Sequence, residues 1–515
     1  MIQTIHIRLS PEAAHSTHII KNTIANKRGI PLHDIHDIQI KRRSIDARSR
    51  NIKYNLTIEY ACYSFTKVPK KTIAYTHQDV KAAKEVHIIG AGPAGLFAAL
   101  SLIEHGLKPV ILERGKTISE RKKDIAQLHQ NKELNEESNY SFGEGGAGTF
   151  SDGKLYTRSK KKGNTHRILE LLVLHGASED ILIDVHPHIG TDKLPQIIEN
   201  IRHTILECGG EIHFSTHITG FTTHKNKITE LTVNNGNTIP VSTVILASGH
   251  SARDVYYALH DAHIHIEAKP TAMGVRVEHP QEFINNNQYN GIQSAYLPPA
   301  EYKLTHTSDK GVYSFCMCPG GIIVPASTQH NQLVVNGMSN SLRNSPFANS
   351  GIVVSLDIED YKDFAEHGVF AGLQFQEKLE ALAYQNGGNN LVAPAQRIDD
   401  FIQKRLSESL PECSYTPGII SSPLHFWLPD IIAKKLQEAF RIFNKKIHGF
   451  SREGILVGVE SRTSSPIRIP RDKDLLHHTD IHNLYPCGEG AGYAGGIVSS
   501  AIDGVNCSKA LANNI

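Results

Sequence analysis

Two thiols one residue apart, Cys316 and Cys318, close an apolar stretch just before Pro319-Gly320-Gly321. In an extended strand they share a face with Cα atoms about 7 Å apart, at the edge of what a disulfide tolerates. Two readings follow. They form a dithiol that exchanges electrons with a redox cofactor, or they are small residues packing a narrow channel, which the composition favours. Arg462, within E-S-R-T-S-S-P, sits in company too polar for a core segment. Its guanidinium could bind a substrate carboxylate or offset negative charge on a reduced cofactor, or simply pair with Glu460. His250, in S-G-H-S, serves equally well as a proton donor or as a solvated loop residue. These four are the candidate catalytic residues. The 30 histidines show no metal-ligand spacing in a convincing context, and no metal is expected.

Such groups need a cofactor and a frame. Glu85 to Gly95 reads E-V-H-I-I-G-A-G-P-A-G, an apolar run ending in Gly90, Gly92 and Gly95, followed by an apolar helical pattern from Leu96 to Ile103. Strand, tight turn and helix is the order a dinucleotide pyrophosphate needs. Gly90 allows the turn, Gly92 lets the backbone approach the phosphates, and Gly95 lets helix pack on strand. The phosphates then meet the free N–H groups of a helix N terminus. A second apolar strand, Pro109 to Leu112, ends in Glu113, about 20 residues on, where a carboxylate can hold ribose hydroxyls. From Phe142 comes F-G-E-G-G-A-G-T-F-S-D-G-K-L, with five glycines in twelve residues. It cannot form a packed core, and it offers backbone N–H groups to an anion or a flat ring. We expect a second loop at the cofactor.

The remaining elements support this frame. Pro195 to Cys208 is an amphipathic helix stopped by Gly209-Gly210, and Glu211 to Thr216 is strand-like. Asn235-Gly236 marks a hairpin between Ile228–Val233 and Thr238–Val241. Thr243 to Gly249 reads as a buried strand ending in small residues. Asn483 to Cys487, Gly488-Glu489-Gly490, Gly495-Gly496 and Ile497 to Leu511 read as strand, loops and helix. Between about 266 and 455 the β–α rhythm is lost, as in an inserted substrate domain. Before Lys84 lies a small α+β unit: a strand at Ile2–Leu9, a helix at Pro11–Lys27 capped by Ser10, and strands at Ile35–Lys41 and Ile52–Tyr60. The expected units are therefore 1–80, 84–265, 266–455 and 456–515, the second and fourth forming one split nucleotide-binding domain. The fold class is α/β: a split Rossmann-type domain with an inserted α+β domain and a small N-terminal α+β domain.

Composition narrows the rest. At 515 residues the chain is too long for one core. Its net charge of +2 gives no global pull towards nucleic acid or anionic membrane. No run of about 20 apolar residues exists, and the N terminus lacks a signal-peptide pattern. Seven scattered cysteines read as reduced thiols, so a cytoplasmic location is expected. Through Val80, thirteen Lys/Arg face six Asp/Glu, with Arg42 to Arg50 as the densest stretch. We expect this to be a solvated hairpin tip or an arm docked on the body rather than a nucleic-acid reader.

The set G-A-G-P-A-G-L, E-R-G, F-G-E-G-G-A-G-T-F-S-D-G-K-L, L-A-S-G-H-S-A-R-D, F-C-M-C-P-G-G, E-S-R-T-S-S-P and C-G-E-G-A-G-Y-A-G-G is similar to one family. It resembles the uncharacterised FAD-dependent dehydrogenases of bacteria, in the glutathione-reductase-like FAD superfamily, over nearly the whole chain. The resemblance implies noncovalent FAD. It implies that Gly90, Gly92, Pro93, Ala94, Gly95, Glu113 and Arg114 hold the ADP half, and that Gly145, Gly146, Gly148, Ser248 and Gly249 line the cofactor. By the same resemblance Gly488 and Glu489 bind the cofactor, Glu489 standing where many relatives carry Asp, and Gly495, Gly496 and Ile497 face the isoalloxazine. A small-molecule substrate is implied, but not its identity. No second G-x-G-x-x-G lies on a strand–helix boundary, so NAD(P)H is a candidate transient reductant without a domain of its own. The leading reading is an FAD-dependent oxidoreductase. The alternatives are a flavin monooxygenase and an RNA- or polyanion-binding flavoprotein reading through residues 1–80.

Overall fold

The computed structural model describes residues 2–62, 67–69, 73–157 and 163–514. The parts of the N-terminal unit at 63–66 and 70–72 lie outside the described residues. That unit is a three-stranded antiparallel sheet with Lys53–Cys62 between Ile2–Leu9 and Ile35–Asp46. Alternation decides its faces: Ile5, Ile7 and Leu9 are buried with Ile20 and Ile24 of the covering helix. The single helix expected over Pro11–Lys27 is two, Pro11–Ala14 and Thr17–Arg28. Ser10 caps the first and Ser16 restarts the second by accepting from Ile19 N–H, so a second cap interrupts the pattern. The basic stretch is half strand, and Arg43 docks it on the body. Its Nε reaches Asp184 at 2.7 Å and its Nη2 reaches Asp180 at 3.1 Å, while backbone bonds join it to Ile183 and Val185.

The nucleotide-binding unit is a five-stranded parallel sheet in the order Leu484–Pro486, Val244–Leu246, Glu85–Ile89, Lys108–Leu112, Glu211–His213. Its central strands are buried on both faces, which is why they read as unbroken apolar runs. The helix Pro93–Glu104 packs on one face. The final helix, Ile497–Asn513, lies so close against it that a Cβ on Gly504 would run into the Ala94 carbonyl oxygen. The antiparallel excursion is Ile218–His224, Lys227–Val233 and Asn237–Pro240, turning at Asn234–Gly236.

The inserted unit is a seven-stranded mixed sheet. At its middle, Thr271–Pro280 pairs with Phe347–Leu356 on one side and Ile455–Glu460 on the other. The insertion's last strand therefore runs to Glu460, five residues past the expected boundary at 455. The apolar run Ile455–Val459 is a central strand of this sheet. Helices Ala371–Asn386 and Asp430–Lys446 bury their apolar sides in the same core. No helix among the described residues is long and apolar enough to cross a membrane.

Candidate active site

The glycines are placed by sterics. Gly90 has φ +102°, and a Cβ there would lie 2.5 Å from the Ala247 carbonyl oxygen. A Cβ on Gly95 would run into the Gly90 carbonyl oxygen. Gly92 is the N-cap of Pro93–Glu104, and no side chain caps that helix. The second glycine loop folds directly over this turn. Gly145 N–H donates to Ala91 C=O at 2.9 Å, and a Cβ on Gly146 would stand 3.0 Å from Gly92 Cα. Gly148 sits between Pro93 and Ile497, since its Cβ would meet their side chains at 3.4 and 3.2 Å. Those two residues open two helices, and the second, N-capped by Gly496, also lacks a side-chain cap. Two positive helix ends thus converge on one glycine loop.

Glu113 ties this cradle together. Its Oε2 accepts from Ala91 N–H at 2.7 Å, and its Oε1 accepts from Gly115 and Gly143 N–H at 2.9 Å each. Three backbone donors on a carboxylate 5% exposed make it the fastener of the turn, with one lone pair on Oε2 left over. Arg114 is held by Glu137 and Asp254 and lies 4.0 Å over the Phe142 ring. Opposite, Gly249 (φ +74°), Gly495 and Gly496 face open space, with nothing within 4 Å of a Cβ at any of them. Gly490 packs on Gly249, and Gly488 packs on Ala94. The strand expected to reach Gly249 ends at Leu246, so Ser248 lies in the loop after it, and His250 Nδ1 stands 3.7 Å from Glu489.

Arg462 is buried beside the same loop, its Nη1 reaching Ser251 at 3.3 Å and Thr328 at 2.7 Å. Its ion-pair partner is Glu380, by Nε at 3.1 Å and Nη2 at 2.9 Å. Glu460, the expected structural partner, is bound instead to Arg276 at 2.7 Å. The strand ends at Glu460, so Arg462 lies beyond it and its side chain meets different surroundings. Glu380 also takes Arg253 Nη2 at 2.6 Å and the Ser461 hydroxyl. Although burial pushes this carboxyl up, Arg253 and Arg462 bring it down to about 2. The network joins the helix Arg253–Asp261 of the nucleotide unit to the insertion.

Cys316 and Cys318 lie away from that network, in a bulge where the pairing with Phe347–Leu356 slips between Phe315 and Cys318. Cys316 has φ +43° and is exposed, whereas Cys318 is buried with Sγ 3.6 Å from Arg276 Nη2. Both are free thiols. Solvent touches Cys316, but the protein crowding it pushes its thiol up to about 12, against the pull of Lys154. Elsewhere, Cys487, Asp503 and Cys507 come within 4.8 Å of one another. Arg471 reaches into that group, 2.7 Å from Asp503 and 3.4 Å from Cys507, so a guanidinium already supplies the cation.

Sequence reasoning missed Asp152, Lys154, Arg253, Arg276, Arg343 and Glu380. Arg276 had a signal, a charge inside the apolar strand M-G-V-R-V. Glu380 had one too, a carboxylate within the buried repeat L-E-A-L-A.

The cradle, the paired uncapped helices and the split parallel sheet define a dinucleotide-binding flavoprotein fold. The tight turn, the backbone donors and the Glu113 lone pair fit an FAD, and this fit rests on the residues themselves. The family model "Pyridine nucleotide-disulphide oxidoreductase" matches residues 84–254. "FAD-dependent protein, C-terminal domain-like" matches 270–463, and a domain of unknown function matches 1–61. An uncharacterized protein of Clostridium beijerinckii is 40% identical over 515 residues, covering 95% of each chain. Among solved structures, a salicylate hydroxylase substrate complex aligns at 12% identity and TM-score 0.34, over 84% of this chain and 80% of that one. CtdE in complex with FAD aligns at 10% identity and TM-score 0.31, over 83% and 84%. The chain belongs to the FAD-dependent oxidoreductase family that includes the C. beijerinckii protein, and its cofactor is FAD.

Proposed function

We propose that this enzyme passes hydride through noncovalently bound FAD to or from a small-molecule substrate seated between the glycine cradle and the inserted sheet. The observation that carries the reading is the convergence at Gly148 of two helices without side-chain caps, facing the open space at Gly249, Gly495 and Gly496. Bound there, FAD supplies the two-electron chemistry, and the chain's own residues position, shield and protonate. The Ala94 and Gly95 N–H groups receive the pyrophosphate. Glu113 offers its last lone pair to a ribose hydroxyl, while Glu489 and Ser248 address the chain between phosphate and ring. The N terminus of Ile497–Asn513 favours negative charge at the ring edge. Arg462, already neutralised by Glu380, holds the insertion against the loop that carries His250, and His250, next to Gly249, is the proton donor. NAD(P)H is the transient reductant.

Heating should release FAD rather than FMN. Glu113→Ala should weaken FAD binding by about 1–3 kcal/mol, the scale of charge-assisted hydrogen bonds lost at a buried site. Anaerobic mixing with NADH and NADPH should bleach the flavin. FMN in the supernatant overturns the cofactor placement. Incorporation of labelled dioxygen into a product overturns the hydride-transfer reading in favour of a monooxygenase.

A further inference from the structure

A second polar cluster lies where the loop leaving the cradle meets the insertion. Ser151 to Lys154 run beside Asn336 to Ser339, joined by the Ser339 hydroxyl donating to Asp152. Arg343 Nη2 donates to the same carboxylate at 2.9 Å. Lys154 Nζ is 3.9 Å from it, beyond hydrogen-bond reach, and this buried ammonium has no acceptor. Arg343, 8% exposed, likewise has a buried Nε without an acceptor. Two cations therefore share one carboxylate, and each keeps an unfilled donor. Leaving charged donors buried and unsatisfied costs several kcal/mol, so the arrangement calls for an added anion. Of the other titratable neighbours, Glu301 is held by His186, and burial pushes the pKa of His188 down.

The surroundings describe the rest of that anion. A small open cleft lined by Tyr140, Phe150, Val324 and Ala326 shares Ser151, Asn336 and Gly337 with these two segments. Asp152 leaves the two cations with a single surplus positive charge, which a monoanion balances and a phosphate dianion would overshoot by one negative charge.

We propose that this cluster is the substrate's acid site: Lys154 and Arg343 bind a carboxylate, and the Phe150–Val324–Ala326 cleft takes its apolar body. The substrate class is then a small organic acid. The proposal rests on the flavoenzyme reading above for calling the ligand a substrate.

The test uses the full-length holoenzyme with benzoate and its uncharged isostere benzamide as probes, with binding read by equilibrium dialysis. Benzoate should bind at least about tenfold more tightly than benzamide. Lys154→Gln should lose that preference and Lys154→Arg should keep it, with FAD content unchanged in both. Equal binding of the two probes, binding of neither, a preference that survives Lys154→Gln, or displacement of benzoate by a lower concentration of phosphate would each overturn the acid site. A preparation that carries FMN or no flavin while still preferring benzoate would instead break the flavoenzyme reading and leave the acid site standing.

Discussion

The glycine cradle and the polar heart of the insertion solve the problem of holding charge in opposite ways. In the cradle the donors are backbone N–H groups and helix ends, fixed by tightly packed glycines such as Gly90 and Gly95, where a Cβ would strike a carbonyl oxygen. In the insertion, buried side chains do it: Arg276 with Glu460, and Arg253 and Arg462 sharing Glu380. Backbone sites need only a local stretch of chain. Side-chain networks need residues brought together across 127 positions, as Arg253 and Glu380 are.

The largest expected effect comes from the network. Glu380→Ala leaves two buried guanidiniums with only Glu377, 3.6 Å from Arg253, as counter-charge, at a cost of about 3–5 kcal/mol. Chemical denaturation should show it, and a loss below 1 kcal/mol would mean that the network is decorative. The same carboxyl makes a pH prediction. Its folded pKa of about 2 lies below its ordinary 4.5, so its contribution is complete above pH 4.5 and fades as the pH falls towards 2. Wild-type stability should drop by about 3 kcal/mol from this source over that window, and Glu380→Gln should flatten that part of the curve.

The cradle should break differently. Gly95→Ala drives a methyl group into the Gly90 carbonyl oxygen and should cost about 1–3 kcal/mol, losing FAD as the turn opens. Gly495→Ala meets nothing within 4 Å and has no left-handed backbone to strain. It should leave apoprotein stability unchanged while shifting the flavin absorbance or weakening FAD. Equal losses of apoprotein stability in the two variants would erase the distinction between a glycine that shapes the turn and one that makes room for the ring.

That contrast also explains what could be read from the sequence. Gly90, Gly92, Gly95 and Glu113 fall within one strand–turn–helix–strand, so spacing alone placed them. The five-stranded parallel sheet followed from its apolar runs. The insertion's topology did not, because its neighbouring strands come from 271, 347 and 455 and nothing local records that pairing. For the same reason Arg462 was legible as unusual, but its partner was not. Glu460 is two residues away and looked apt, whereas Glu380 arrives on a separate helix. Ser16 was missed as a second helix start because the apolar spacing continues across it.

The smallest effect belongs to Cys316, where the two strategies meet. Its φ of +43° lies in the left-handed region, which costs a non-glycine residue roughly 1–2 kcal/mol. Glycine there would relieve that strain but adds roughly 0.5–1 kcal/mol of unfolded-chain entropy. Cys316→Gly should therefore be neutral to mildly stabilising, by at most about 1.5 kcal/mol. Its chemistry should be equally quiet. A thiol held up at about 12 carries almost no thiolate at neutral pH, so it makes a poor electron relay. The Arg276 Nη2 bond to the Cys316 carbonyl, at 2.8 Å, uses only backbone and survives the change. Flavin reduction and reoxidation rates should thus match the wild type in Cys316→Gly, and Cys318→Ser should do the same. Loss of turnover with an unchanged melting temperature would reverse this, making the sulfur rather than the bulge the reason for a cysteine at that position.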